Sequence, residues 1–279
     1  MEANPTGRTS AKWRAFPPDV LPLWVAEMDF PLAPPIAAAL RDAIDRSDVG
    51  YRWAGELPQA LSEFAARRLS WDVDPERVVL VGDVLVAIAE SIRRLTEAGS
   101  AIVITPPVYN PTGAIVPRET LESVARLARQ HGVRVIADEI WAPLPLGRRR
   151  VTPYLTLGEE LTGPDVSLVS ASKAFNLAGL KSAQIVAGSA QTAAELAERM
   201  PMEITYSAGH LGVIASVAGF REGDAWLDST LATIEANSLR LADLLGEHLP
   251  AIRYSPPEAT YLAWLDCRDL DLGDDVSAI

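Results

Sequence analysis

Apolar residues in the first two thirds of the chain alternate between helical spacing and short unbroken runs. Helical spacing predicts helices over 34–44, 57–69, 88–99 and 117–132. Runs rich in valine and isoleucine predict strands over 78–81, 101–105, 133–137, 166–169 and 184–187. Strands that alternate with helices are typical of a mostly parallel sheet covered by helices on both faces. The pattern therefore predicts a three-layer α/β/α domain, with functional residues at the carboxyl ends of its strands.

The pattern changes beyond about residue 200, where helices become dominant. Apolar periodicity predicts helices over 211–220 and 226–249, followed by a strand over 259–265. We therefore expect an amino-terminal arm with the first helix over 1–45, a large domain over 46–200, and a smaller α/β domain over 201–279. This last part ends in a polar stretch that gives no sign of a finished fold, so the small domain is expected to be truncated.

Composition narrows the possible partners and compartments. The chain has 279 residues, 48% of them hydrophobic, which is enough for a large core. Its 37 acidic and 25 basic residues give a net charge of −12, which repels nucleic acid and anionic membranes. The single cysteine, Cys267, excludes an internal disulfide and a cysteine-based metal cluster, so no metal site is predicted. No apolar run approaches the roughly 20 residues of a membrane span, and a cytoplasmic protein is expected.

The segment over 170–181 carries the clearest chemical signal. It follows a predicted strand and reads Ser-Ala-Ser-Lys-Ala-Phe-Asn-Leu-Ala-Gly-Leu-Lys. The amine of Lys173 can form a Schiff base with an aldehyde. The hydroxyls of Ser170 and Ser172 can donate hydrogen bonds to a phosphate beside it, and Lys181 can supply a positive charge to that phosphate.

Two further elements precede this segment. Asp138 follows the predicted strand over 133–137, and the turn from Asn110 to Gly113 runs into the helix that begins near Pro117. In this order they resemble the fold type I pyridoxal-phosphate-dependent enzymes of the class I/II aminotransferase superfamily. The resemblance implies that Lys173 carries pyridoxal 5'-phosphate and that Asn110 hydrogen-bonds the cofactor's phenolic oxygen. It also implies that Asp138 keeps the pyridine nitrogen protonated, so that the ring withdraws electrons from the substrate.

The same resemblance implies the remaining cofactor contacts. Tyr109 corresponds to an aromatic residue that stacks on the cofactor ring. The turn at Val84 and Leu85 corresponds to one whose backbone amides bind the phosphate at a helix start. Tyr51 corresponds to a tyrosine that reaches the phosphate of the neighbouring subunit. A homodimer with a shared site is therefore expected.

Segments 21–30 and 50–51 are similar to one branch of this superfamily, the carbon–sulfur lyases of the cystathionine β-lyase type. The resemblance implies a β-lyase that acts on a small sulfur-containing amino acid. The freed amine of Lys173 would remove the α-proton as a general base, and thiol, pyruvate and ammonia would be released. The residue spacing leaves an aminotransferase reaction equally open, because both reactions share the same carbanion.

Two absences distinguish the chain from this pattern. In relatives, a long segment that includes sheet strands separates the residues that match Tyr109 and Asn110, which are adjacent here. The chain also ends before the region with the arginine that binds the substrate carboxylate, and neither Arg253 nor Arg268 matches that position. Each buried backbone group left unpaired costs about 1 to 3 kcal/mol. Reduced stability and weak or absent activity are therefore expected.

Two single positions also depart from the lyase branch. Ala87 stands where the lyase branch usually has glycine, and Trp141 stands where it usually has histidine.

A catalytically inactive homologue with a binding or regulatory role is the alternative from a different class of function. A nicotinamide-dependent dehydrogenase is disfavoured, because no predicted strand is followed by a G-x-G-x-x-G turn.

Overall fold

The computed structural model describes residues 7–270, which form two compact units. The first comprises residues up to Pro31 and contains the short helix α1 (Ala11–Arg14). Within it, the Nζ atom of Lys12 lies 2.6 Å from an oxygen of Asp29 and donates a hydrogen bond of 2.8 Å to the carbonyl of Glu27. Because Lys12 is buried, these two partners stabilise its charge.

The second unit begins at Leu32 and contains the sheet and its helices. Its described residues include ten α-helices: α2 (Pro34–Asp45), α3 (Leu57–Leu69), α4 (Val84–Leu95), α5 (Arg118–His131), α6 (Glu159–Thr162), α7 (Ala171–Ala174), α8 (Ala190–Arg199), α9 (Met202–Thr205), α10 (His210–Glu222) and α11 (Asp224–His248). The main sheet consists of β1 (Val78–Val81), β2 (Ile102–Thr105), β3 (Arg134–Asp138), β4 (Val166–Val169) and β5 (Ala183–Ala187). A small two-stranded sheet joins β6 (Arg253–Tyr254) to β7 (Leu265–Asp266). No helix within 7–270 is long and apolar enough to cross a membrane.

The strands of the main sheet follow the order β1-β5-β4-β3-β2. Strands β2, β3 and β4 are mutually parallel, whereas β5 runs antiparallel to β4 and to β1. A single reversed strand leaves the other four pointing the same way, which confirms the predicted mostly parallel sheet. The carboxyl ends of β3 and β4 therefore open at the same edge.

Helices cover both faces of this sheet because alternate residues of a strand point in opposite directions. Ile136 of β3 belongs to a buried cluster with Ala87 of α4 and Leu196 of α8. Its neighbour Val135 belongs to a second cluster with Leu121 of α5. The predicted three-layer α/β/α architecture is confirmed.

A tight turn closes the chain where relatives were expected to have a long segment. The amide of Tyr109 donates to the carbonyl of Ala114 (2.9 Å), and the amide of Gly113 donates to the carbonyl of Tyr109 (2.8 Å). Val108 and Ile115 form an antiparallel bridge below the turn. Strand β2 then pairs directly with β3 and forms the outer edge of the described sheet, where the side chain of Ile104 is 49% exposed.

Two predicted elements need correction. The strand predicted over 259–265 is wrong except at its last residue, since Thr260 has a left-handed φ of 74° and donates its amide to the carbonyl of Leu144. These backbone groups bond to a loop, so they do not extend a sheet. The helix predicted to reach Gly99 ends at Leu95, because Thr96 has an extended backbone. The domain boundaries predicted near residues 45 and 200 stay predictions.

Candidate active site

Two neighbouring parallel strands bring Lys173 and Asp138 to the same edge of the sheet. Asp138, the last residue of β3, lies opposite Leu168 of β4, and Lys173 follows β4 in the short helix α7. Burial raises the pKa of the Asp138 carboxyl above its usual range. The amide of Ile140, 3.1 Å away, and the positive charge of Lys173 act in the opposite direction without overcoming burial. The lysine and the carboxylate are therefore close enough to interact electrostatically.

An aromatic wall lies beside the lysine. The Nζ atom of Lys173 is 5.4 Å from the centroid of the Trp141 ring, a cation–π geometry. Trp141 is buried and meets the ring of Tyr261 edge-on at 5.0 Å between centroids. The residue that departs from the expected histidine thus contacts the predicted cofactor lysine.

The hydroxyl of Ser170 is hydrogen-bonded to the backbone around Lys173. Its hydroxyl donates a 2.7 Å hydrogen bond to the carbonyl of Ser182 and accepts a 3.1 Å bond from the amide of Ser172. It thereby caps the first turn of α7. Because its proton is already engaged, a hydrogen bond from Ser170 to a phosphate would have to replace the bond to Ser182. Ser172 is half-buried one position before Lys173.

The two features predicted to hold a phosphate meet at the start of α4. The Nζ atom of Lys181 lies 3.0 Å from an oxygen of Asp83, whose other oxygen accepts a 2.9 Å bond from the amide of Val86. Partial burial acts to raise the pKa of Asp83, but the bonds from Val86 and Lys181 outweigh it, so the pKa is lowered. Val84 is buried, whereas Leu85 is exposed. Lys181 therefore lies beside the helix start whose amides were predicted to bind the phosphate.

Tyr109, Asn110 and Tyr51 lie at the surface. Tyr109 and Asn110 are exposed within the tight turn, and the backbone hydrogen bonds described for Tyr109 stay inside that turn. Tyr51 is 91% exposed, and its ring meets the ring of Tyr206 edge-on at 6.3 Å between centroids. The predicted roles of these three residues toward a cofactor stay predictions.

A buried carboxyl behind the site was missed from the sequence. Glu139 directly follows Asp138 but is fully buried, and one oxygen accepts bonds from the Ser167 hydroxyl (2.7 Å) and the Tyr154 amide (2.8 Å). Burial raises its pKa to about 7. A nearby second carboxyl, Asp165, accepts a bond of 2.9 Å from the Tyr154 hydroxyl, and burial raises its pKa to about 6. The sequence contained a signal for the burial of Glu139. Adjacent residues at a strand end point to opposite faces, so a residue next to Asp138 is expected to point away from the site.

Comparison with known proteins identifies the class to which this fold and site belong. The family model described as "Aminotransferase class I and II" matches residues 83–277. The chain belongs to this family.

Relatives of known name point to one branch. The chain is 40% identical over 327 aligned positions to the "Putative cystathionine beta-lyase" of Mycobacterium leprae, covering 97% of this chain and 80% of that protein. It is 30% identical over 306 positions to the cystathionine beta-lyase of Corynebacterium glutamicum, covering 93% and 82%. The first alignment is longer than this chain, so the relative has residues that this chain lacks.

The fold is likewise shared with a solved structure. A "putative plp-dependent beta-cystathionase" from Corynebacterium diphtheriae matches with a TM-score of 0.87 and 29% identity. The match covers 93% of this chain and 81% of that one. The similarity therefore extends across most of the fold as well as through the sequence motifs.

Proposed function

We propose that this protein is a pyridoxal-phosphate-dependent carbon–sulfur β-lyase that releases thiol, pyruvate and ammonia from a small sulfur-containing amino acid. The observation that carries the proposal is the convergence of Lys173 and Asp138 at the carboxyl ends of two adjacent parallel strands. The names of the relatives from Mycobacterium leprae and Corynebacterium glutamicum support the lyase reaction over amino transfer. The single cysteine supports a cytoplasmic location.

The side chains present suit this cofactor. An aldehyde needs an amine, which Lys173 supplies, and a pyridine nitrogen needs a carboxylate, which Asp138 supplies. Lys181 and the start of α4 lie together and suit a phosphate, since ammonium groups and helix amides both bind anions. The buried face of Trp141 next to Lys173 limits access of water on one side.

The residues of the site divide the reaction between them. When bound, the cofactor would serve as an electron sink for the α-carbon of the substrate. The amine of Lys173, once displaced by the substrate amine, would take the α-proton onto its Nζ atom. The carboxylate of Asp138 would hold a proton on the ring nitrogen throughout. Expulsion of the β-thiolate would release the sulfur fragment, which takes up a proton to give the thiol. Water would then hydrolyse the remaining unsaturated amine to pyruvate and ammonia.

Two arginines near the end of the described residues are paired with carboxylates. The guanidinium of Arg253 is 2.6 Å from an oxygen of Asp269, and that of Arg268 is 2.6 Å from an oxygen of Asp266. Both arginines are thus engaged with neighbouring carboxylates and do not supply a free clamp for a substrate carboxylate.

The lysine count makes a direct test possible. The chain contains only three lysines, Lys12, Lys173 and Lys181. We expect pyridoxal phosphate to produce a visible absorbance band, and borohydride reduction followed by peptide mass spectrometry to place the label on Lys173. The variant Lys173→Ala should lose both band and label, whereas Lys181→Ala should keep the label on Lys173. A label that persists in Lys173→Ala would refute the assignment.

The reaction itself is tested by its products. We expect pyruvate and thiol to form from cystathionine without any keto acid. Dependence of turnover on an added keto acid, with no pyruvate, would show an aminotransferase instead. Absence of both reactions in a protein that binds the cofactor through Lys173 would favour the inactive homologue.

We further propose a homodimer in which Tyr51 serves the partner's site. Arg52 anchors the local chain, because its Nε donates a 2.7 Å bond to the carbonyl of Thr205 and its guanidinium lies 5.0 Å from the ring centroid of Tyr206. The flanking side chains of Tyr51 and Trp53 are 91% and 76% exposed. Exposed aromatics on an anchored segment are typical of an interface.

Mixing two inactive variants tests the shared site. A heterodimer of Lys173→Ala and Tyr51→Ala chains, selected with two different affinity tags, holds one site with both residues intact if Tyr51 acts across the interface. Pyruvate formation should then return in the mixed dimer. If Tyr51 instead serves the site of its own chain, both sites of the mixed dimer would remain defective. Activity would then stay at the level of the separate variants.

A further inference from the structure

A cleft of about 950 Å³ lies in the second unit and shares no residue with the candidate active site. Its walls come from the end of α3, the start of α5, the loop over 145–153 and one side of α11. Six guanidinium groups line it, against two carboxylates, in a protein whose net charge is −12. They belong to Arg67, Arg68, Arg118, Arg148, Arg149 and Arg150.

Four of these arginines have carboxylate partners. Two of them bind residues of α11, since Arg67 lies 3.1 Å from Asp224 and Arg68 lies 2.6 Å from Asp228. The other two bind elsewhere: Arg118 pairs with Glu122 at 2.9 Å and Arg149 with Glu258 at 3.8 Å. These pairs hold the walls in place but leave little charge free for a ligand.

Arg148 and Arg150 differ from the other four. Neither lies within 4 Å of a carboxylate among residues 7–270, and both are exposed toward solvent. The loop that carries them is anchored at its start, because the amide of Leu146 donates to the carbonyl of Glu258 (2.9 Å) and Pro145 bridges to Ala259. An anchored loop loses less conformational entropy when it binds a ligand.

The cleft also offers apolar contact beside its charges. Leu69, Val151, Pro153, Leu231 and Ala232 contribute to its lining. The carboxylate of Glu235 would repel an anion bound in the cleft. A Cβ atom added at Gly147 would lie 2.7 Å from an oxygen of Glu235, so this carboxylate packs against the loop that carries the arginines. Counting only partners within residues 7–270, the lining thus combines two guanidinium groups without a carboxylate partner, an apolar wall and one carboxylate without a basic partner, Glu235.

We propose that this cleft binds a small organic molecule with at least two linked phosphate groups. Guanidinium groups bind phosphate oxygens through paired hydrogen bonds. Those of Arg148 and Arg150, two positions apart in the chain, suit two linked phosphates better than a single carboxylate. The apolar wall suits the organic part of such a molecule. The volume of the cleft lies within the range of sites for small ligands.

Calorimetric titration of the full 279-residue chain tests the proposal, with ADP and inorganic pyrophosphate as probes at about 0.15 M salt. ADP should bind more tightly than pyrophosphate, because only ADP can use the apolar wall. The double variant Arg148→Gln/Arg150→Gln should weaken ADP binding by about tenfold or more. Glu235→Gln should strengthen it, because a repelling charge is removed.

A matched control separates the cleft from the general charge of the protein. Arg41→Gln/Arg240→Gln removes two exposed arginines outside the cleft and should leave ADP affinity unchanged. The visible band with pyridoxal phosphate should be the same in both double variants, which separates this site from Lys173. Equal ADP binding in both double variants, or no binding at millimolar ADP, would overturn the proposal. So would binding of polyglutamate without binding of ADP, since the ligand would then be an acidic protein segment.

Discussion

The Nζ atom of Lys173 lies 5.4 Å from the ring centroid of Trp141, so the predicted cofactor lysine rests against a buried indole. Trp141 in turn packs edge-on against Tyr261. The tryptophan therefore links the site to the segment after α11. Substitutions of Trp141 can test how much its packing contributes to stability.

Trp141→Ala should lower the free energy of unfolding by about 3 to 5 kcal/mol, because it leaves a cavity in place of a buried indole. Trp141→Phe should cost less, since a ring remains against Lys173 and Tyr261. Urea denaturation followed by circular dichroism measures both. An alanine variant as stable as the parent would show that the indole does not contribute to packing.

Asp138→Asn should leave covalent cofactor binding at Lys173 intact and lower pyruvate formation by at least about 100-fold. An amide cannot keep the pyridine nitrogen protonated, so the ring withdraws electrons less strongly. The control is Asp165→Asn, which alters a buried carboxyl bonded to the Val135 amide and Tyr154. It should change stability while sparing turnover per folded molecule. Parental turnover in Asp138→Asn would remove this carboxylate from the mechanism.

Glu139 should make stability depend on pH. Its pKa is about 7 in the folded chain against an ordinary 4.5, so the unfolded chain loses this proton first as pH rises. The free energy of unfolding should therefore fall between about pH 4.5 and 7 and level off above that range, by about 3 kcal/mol from this group alone.

Glu139→Gln removes that contribution while keeping an oxygen for Ser167 and Tyr154. The variant should be more stable than the parent at pH 8 and similar at pH 4.5. Denaturation across this range measures the difference, and Asp165 contributes equally to both proteins. Parallel pH profiles would mean that Glu139 is not titrated in this window.

The ion pair between Lys181 and Asp83 should control affinity for the phosphate of the cofactor. Lys181→Gln should weaken pyridoxal phosphate binding by about tenfold, because a positive charge beside the helix start is lost. Asp83→Asn should strengthen binding, since it removes a competing negative charge and keeps an oxygen to cap the Val86 amide. Spectroscopic titration gives both dissociation constants. The same affinity in all three proteins would place the phosphate elsewhere.

Gly113 should be essential to the tight turn that joins β2 to α5. Its φ is 70°, and a Cβ atom there would lie 2.4 Å from the carbonyl oxygen of Ala259 and 2.5 Å from Cβ of Pro257. Gly113→Ala should lower the free energy of unfolding by about 2 to 4 kcal/mol through backbone strain and overpacking. Gly132→Ala has a similar φ of 63° but open space around it, so it should cost only about 1 kcal/mol. Equal losses would show that steric contact with residues 257–259 is unimportant.

Some elements could be predicted because their signals are local. Strand β1 and strand β4 coincide with the β-branched runs over 78–81 and 166–169, and α3 coincides with its apolar repeat. The strand over 259–265 could not be predicted correctly, because its backbone amides bond to Leu144 and to the turn at Gly113. Neither partner is near it in the sequence.

The candidate site divides in the same way. Lys173 and Asp138 were recognisable because their local motifs resemble those of the family and lie at or just after the end of a buried strand, and parallel strands place such residues at one edge. The engagement of Ser170 with Ser182 and the pairing of Lys181 with Asp83 depend on how separate segments meet. The arginine cleft likewise draws its residues from four distant parts of the chain.

By itself, the sequence determined the order of helices and strands and the placement of an amine and a carboxylate at strand ends, since periodicity and motifs act over a few residues. Only the tertiary structure decided the reversed direction of β5, the burial of Glu139 and, among residues 7–270, the lack of a carboxylate partner for Arg148 and Arg150. Burial and electrostatic pairing depend on atoms that are close in space but far apart along the chain.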